Sequence, residues 1–198
     1  YEIPDSLVGS EMCIRDRGIY TESEIKTAKE NNIQVVIHKI SQFELIGKND
    51  SELGLWIKIN TGMNRLGLSQ EELKLVYKKG IIGSDSVLMT HMACGDDPDD
   101  PMNKMQINNF EKAFDLVERK TKRSICNIAC LINFPELSFD WVRSGIAAYG
   151  GEFKNLNLKT AMTFRAPIIS IRNIRKGERV GYGGRKRASK DMRIAIVY

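Results

Sequence analysis

Leu53-Gly54-Leu55-Trp56-Ile57-Lys58-Ile59-Asn60-Thr61-Gly62-Met63-Asn64-Arg65-Leu66-Gly67 is the stretch on which the fold turns. Its first seven residues read as a strand, and Asn60-Thr61-Gly62 as the turn that ends it. Ser69 followed by Glu72 is a capping box that opens a helix through Lys79, with Gly80 and Gly83 as its stop. A strand, a polar turn and a helix make one βα unit.

The pattern repeats on both sides. Upstream, a Thr21 cap precedes a polar helix over Glu22 to Asn31, Ile33 to Ile37 form a β-branched strand, and Ser41 caps a short helix carrying Phe43, Leu45 and Ile46. Downstream, Ser86 to Met92 predict a third strand. Asn103 to Lys122 predict an amphipathic helix whose apolar face holds Ile107, Phe110, Phe114 and Val117. Ser124 to Ala129 and Trp141 to Ala148 complete five strands. Strands apolar on both faces, alternating with helices, predict an α/β fold with a parallel sheet. After Gly150-Gly151 the pattern changes to short strands over Thr160 to Arg172, Glu178 to Tyr182 and Arg193 to Val197, the start of an antiparallel β domain.

The 198 residues, 42% hydrophobic and 28% charged, exclude wholesale disorder, and no segment reaches the roughly 18 apolar residues of a membrane span. The net charge of +5 is interrupted by Asp96-Asp97-Pro98-Asp99-Asp100, which favours a mixed solvated surface over a nucleic-acid partner. Cys13, Cys94, Cys126 and Cys130 form no CxxC pair, so neither a zinc site nor a disulfide framework is expected, and a reducing cytoplasm is the simplest setting. Ser6 to Arg17 resembles a translated sequencing adapter. The expected division is therefore a non-native leader at 1–17, an α/β domain at 18–155 and a β domain at 156–198.

In parallel α/β folds the C-terminal strand ends carry the active site. Arg65, in a glycine-flanked turn, has the planar fork that clamps a carboxylate, set against the plainer reading of a surface turn arginine. His91 follows an apolar run and is either a hydrogen-bonded core residue or a functional one. Arg143-Ser144-Gly145-Ile146 sets a cation beside a glycine whose backbone N–H an anion can approach. Gly181-Tyr182-Gly183-Gly184 lacks the ending of a phosphate loop and reads as a hairpin turn.

Taken in order, Ile57 to Gly67, Met89 to Ala93, Asn133 to Glu136, Phe139 to Arg143 with Gly145-Ile146 and Tyr149-Gly150, Pro167 to Ser170 and Gly177 to Gly184 resemble the alanine racemase family. These are pyridoxal-phosphate enzymes built on a (β/α)8 barrel followed by a β domain, so the resemblance implies a partial barrel here. It implies that Arg65 touches the cofactor phenolic oxygen and the substrate carboxylate, and that Lys58 matches a lysine, carbamylated in some members, that holds this arginine. Arg143 would bond the pyridine nitrogen, His91 would connect Arg143 to a proton-transferring tyrosine, and the backbone of Gly145 and Ile146 would bind the cofactor phosphate. The family's serine after Asn127 is Ile128 here, which cannot donate that hydroxyl bond.

The Schiff-base lysine and the tyrosine of a Gly-Tyr-x-Asp-Gly run fall outside the chain, Lys39 and Tyr198 standing in the wrong places. By itself the chain is expected to be inactive, with open sheet edges. The resemblance further implies a cytoplasmic homodimer that interconverts L- and D-alanine for peptidoglycan, without nucleic-acid or membrane partners. The rivals are a racemase of broader specificity, a barrel-type amino-acid decarboxylase and, from another class, a basic nucleic-acid-binding module.

Overall fold

The computed structural model describes residues 13–15, 18–47, 53–80, 82–83, 85–117, 120–150, 156–161, 163 and 165–198. The chain divides into two compact units, Tyr1–Ala148 and Tyr149–Tyr198. That division falls ahead of the boundary expected after residue 155, which lies outside the described residues. Most of the expected leader also lies outside them. Its described part, Cys13–Arg15, forms the first strand, β1.

In the first unit, β1, β2 (Ile33–Ile37), β3 (Leu55–Lys58), β4 (Val87–Met89) and β5 (Lys122–Ser124) pair in sequence order as one parallel sheet. The intervening helices are α1 (Glu22–Glu30), α2 (Ile40–Ile46), α3 (Gln70–Lys78) and α4 (Pro101–Phe114), and α5 (Ile128–Asn133) follows β5. Alternation within the strands sends Val36, Trp56, Val87 and Met89 to one face, where Trp141 packs on them. Val35, Ile37, Leu55, Ile57 and Leu88 lie on the other, against Ile25, Phe43, Leu73 and Phe110 from the helices. Burying each of these large side chains contributes about 1.5–3 kcal/mol. Thr21 with Glu24, and Ser69 with Glu72, form the expected capping boxes.

Four expectations are corrected. Helix α2 starts at Ile40 with Lys39, not Ser41, at its N-cap, because the Gln42 side chain turns back to accept the N–H groups of His38 and Lys39. Helix α4 starts earlier, at Pro101 behind the Asp100 cap; Phe110 and Val117 of the expected face are buried and Ile107 and Phe114 pack against the core, but the buried side also takes in the polar Asn103 and Gln106. The strand expected over Ser124 to Ala129 ends at Ser124. The Asn127 side chain there accepts the N–H of Cys130 and converts the rest into α5. Trp141 to Ala148 is not a full strand. Trp141 and Arg143 donate their N–H groups to Arg123 O and Cys126 O, and the chain then leaves the sheet in a 3-10 turn over Gly145–Tyr149.

In the second unit, β6 (Ile168–Ile174) pairs antiparallel with β9 (Met192–Val197), and β7 (Arg179–Val180) with β8 (Lys186–Arg187). Gly181 to Gly184 is the hairpin turn, closed by Gly184 N–H to Gly181 O at 3.1 Å.

Candidate active site

Lys58 ends β3, 4% exposed and on the same face as Trp56. Leu68 N–H returns to Lys58 O at 2.8 Å and Asn60 N–H bonds Leu68 O at 2.9 Å, so residues 60–67 form a loop closed at its base. Asn60 Oδ1 accepts the N–H groups of Gly62 and Asn64 at 3.2 and 3.0 Å, and its Nδ2 donates to Asn64 Oδ1 at 2.9 Å, which holds Asn64 at a φ of 55°. Gly67 sits at a φ of +132°, and a Cβ there would stand 2.4 Å from Asn60 N. Only glycine closes the loop this tightly. Arg65 rises from this frame exposed, with no hydrogen bond or ion pair among the described residues.

A buried polar hub joins this loop to the end of β4. Thr61 Oγ1 lies 2.8 Å from Thr90 Oγ1, and Thr90 Oγ1 donates to Ile59 O at 2.9 Å. From α4, Gln106 Nε2 donates to Thr61 Oγ1 and to His91 O, each at 3.0 Å, while its Oε1 accepts Ala93 N–H at 2.8 Å. Asn109, one turn on, donates to Thr61 O at 3.0 Å. His91 therefore has its backbone fixed from below, and its half-buried ring stands at the strand end.

Arg143 is held against the ends of β4 and β5. Its Nη1 donates to Ser124 O at 3.1 Å and to Ser124 Oγ, and its Nη2 donates to Thr90 O at 2.5 Å and Ile125 O at 3.2 Å. Ser124 Oγ donates in turn to Trp141 O at 3.0 Å. Two residues beyond Arg143, Gly145 takes a φ of +52° with open space around its missing Cβ. The N–H groups of Gly145 and Ile146 find no acceptor among the described residues, as expected at the start of a helical turn, and Ile146 is 60% exposed. Together they make an open pair of donors that a phosphate would fit. Ile128, buried in the first turn of α5, brings no hydroxyl to it.

Behind this surface Cys126 and Cys130 pack with their sulfurs 3.2 Å apart. The hydrogen bond with Cys130 and burial push the Cys126 thiol well above its usual range, so it stays protonated at neutral pH.

The structure thus brings Arg143 and the segment bearing His91 together through Thr90, with Gly145 and Ile146 next to Arg143 in the chain. Lys58 is tied to the end of β4 through the following residue, whose N–H bonds Met89 O at 2.8 Å. No described bond ties Arg65 to the others. Gln106, Thr61 and Thr90 went unread in the sequence. The available signal was a polar amide inside the 103-106-110-113 spacing of a helix that packs on a core.

A family model described as "Alanine racemase, N-terminal domain" matches residues 9–153, and one described as "Alanine racemase, C-terminal domain" matches residues 161–198. The chain is 39% identical over 187 residues to an alanine racemase of Vesicomyosocius okutanii, covering 91% of this chain and 52% of that protein. A solved alanine racemase from Acinetobacter baumannii superposes with a TM-score of 0.69 at 36% identity, over 94% of this chain and 55% of the other. One from Bartonella henselae, solved with covalently bound pyridoxal phosphate, gives 0.70 at 24% identity, with 94% and 54% covered. The chain spans about half the length of the relatives it matches.

Proposed function

Because this chain belongs to the alanine racemase family, we propose that it is about half of a pyridoxal-phosphate-dependent enzyme that interconverts L- and D-alanine. The observation that carries the reading is the pairing of a fixed cation with an open anion cradle: Arg143, held by four hydrogen bonds to the strand ends, next to the unsatisfied N–H groups of Gly145 and Ile146. Gly145 and Ile146 would take the cofactor phosphate. Arg143 would face the pyridine nitrogen, and a guanidinium that does not release its proton leaves that nitrogen unprotonated. When bound, pyridoxal phosphate supplies the electron sink that acidifies the substrate Cα–H.

Arg65, exposed on a rigid loop, binds the substrate carboxylate, and Lys58 supports that loop from the strand below. His91, next to the Thr90 carbonyl that Arg143 bonds, would connect Arg143 to the proton-transferring tyrosine of the complete enzyme. Ile128 removes one donor from the phosphate site, so the two backbone N–H groups carry more of its binding. The complete enzyme would act as a cytoplasmic homodimer; no helix among the described residues is long and apolar enough to cross a membrane.

The test is D-alanine formation from L-alanine by the full-length protein, run beside L-serine, L-lysine and L-arginine. Racemisation of alanine at least tenfold faster than of the others, expressed as kcat/KM, is the expected result. Arg143→Ala should lower activity by about 10²-fold or more and Arg65→Ala by at least as much, as loss of charge-assisted contacts does. Decarboxylation products, or equal rates across the four amino acids, would replace this reading with one of its rivals.

A further inference from the structure

From the hydrogen-bond hub we infer that Gln106 is a positioning residue for the substrate carboxylate, fixing the Arg65 loop against the end of β4. The inference rests on the carboxylate role given to Arg65 above. Gln106 is fully buried on α4, and its partners fix its orientation: Ala93 N–H needs an oxygen and His91 O needs an N–H. Both of its N–H groups are then in use, one on His91 O and one on Thr61 Oγ1.

Thr90 has a single hydroxyl proton, and Ile59 O receives it. The Thr90 oxygen must therefore accept from Thr61, and the Thr61 oxygen accepts from Gln106. The chain runs in one direction, from Gln106 through Thr61 and Thr90 to Ile59. It crosses the root of the Arg65 loop and the strand end whose carbonyl, Thr90 O, receives Arg143.

Helix α4 is a firm anchor for such a chain. Asp100 caps it, Phe110 and Ala113 seat it in the core, and Gly62 admits Met105 and Gln106 against the loop, where an added Cβ would come within 2.7 Å of Met105 Cε. A buried amide persists only where its partners are complete, and here all three partners belong to the two segments that carry Arg65 and His91.

The test uses the full-length protein. Gln106→Glu keeps an acceptor for Ala93 and, ionised or neutral, cannot donate to both His91 O and Thr61, so KM for L-alanine should rise about tenfold while kcat stays within about twofold. Thr61→Val keeps the volume but leaves one Gln106 N–H and the Thr90 oxygen without their partner, so it should raise KM about threefold, and Thr61→Ser, which keeps the hydroxyl, should match wild type. A folded Gln106→Glu or Thr61→Val protein with wild-type KM, or with its loss confined to kcat, would overturn the inference.

A second readout needs no turnover. In 15N-labelled protein, acetate should shift the Arg65 Nε–H resonance and bind several-fold more weakly to Gln106→Glu; equal affinities would overturn the inference. If the wild-type protein fails to racemise alanine but acetate still separates the variants, the functional reading falls and the positioning role stands.

Discussion

Strand β3 is buried at all four of its positions, whereas β6 is exposed at six of its seven. Three of the four residues of β3 and four of the seven of β6 are apolar, and the difference at those apolar positions lies in what covers them. In the first unit each face of the parallel sheet meets side chains from helices or from Trp141. In the second, Ile168, Ile169, Ile171, Ile196 and Val197 stand exposed. Charge divides the same way. Of the 30 basic and 25 acidic side chains, 12 and 3 lie in Tyr149–Tyr198. There the carboxylates of Glu178 and Asp191 are turned onto backbone N–H groups, each at 2.8 Å. The interspersed surface read from the net charge describes the first unit and not the second. Order in the first unit comes from burial, and order in the second comes from strand pairing and turn hydrogen bonds.

This contrast is open to direct attack. Phe110→Ala, at a fully buried position, should cost about 3–5 kcal/mol, and Ile171→Ala, at an exposed one, no more than about 0.5 kcal/mol. Urea unfolding followed by tryptophan fluorescence reads the first unit, since Trp56 and Trp141, the only two tryptophans, both lie there. Resolved amide signals read the second. Similar losses at the two sites would erase the distinction.

Gly67→Ala should come next in size. It combines a left-handed backbone with a clash on the Asn60 backbone, whereas Gly177→Ala meets open space and keeps only the backbone strain of about 1–2 kcal/mol. Thermal melts of the two variants should rank in that order. The smallest effect is expected at Arg187, which pairs directly opposite Arg179 in the hairpin. Arg187→Thr relieves a like-charge pair and should slow amide exchange in β7 and β8, most visibly at low salt.

How much of this could be read in advance depended on whether a residue's neighbours in sequence were also its partners. The βα alternation was legible because strands buried on both faces are continuously apolar and because Thr21 and Ser69 announce helices within four residues. The run Ser124-Ile125-Cys126-Asn127-Ile128-Ala129 was not, since its apolar residues suit a strand while one Asn127 hydrogen bond makes its second half a helix. Trp141 and Arg143 follow β5 for only two backbone bonds before Gly145 turns away. In the candidate site, Lys58, Arg65, His91, Arg143, Gly145 and Ile146 were picked out as candidates from motifs at strand ends. Gln106 was hidden because a glutamine on a helix reads as solvent-facing, and its partners lie 13, 15 and 45 positions away. Polar residues within an apolar stripe carry the information that apolar periodicity discards.

The one-way order of the threonine hydroxyls also limits where protons can travel. A proton moves along a hydroxyl chain only if each link can reverse, leaving its oxygen ready to receive the next. Reversal here would strip Ile59 O of its donor and turn the Thr61 proton toward an amide N–H that cannot accept it. The chain is thus an insulator: a proton at these strand ends has no path through the two threonines into the sheet.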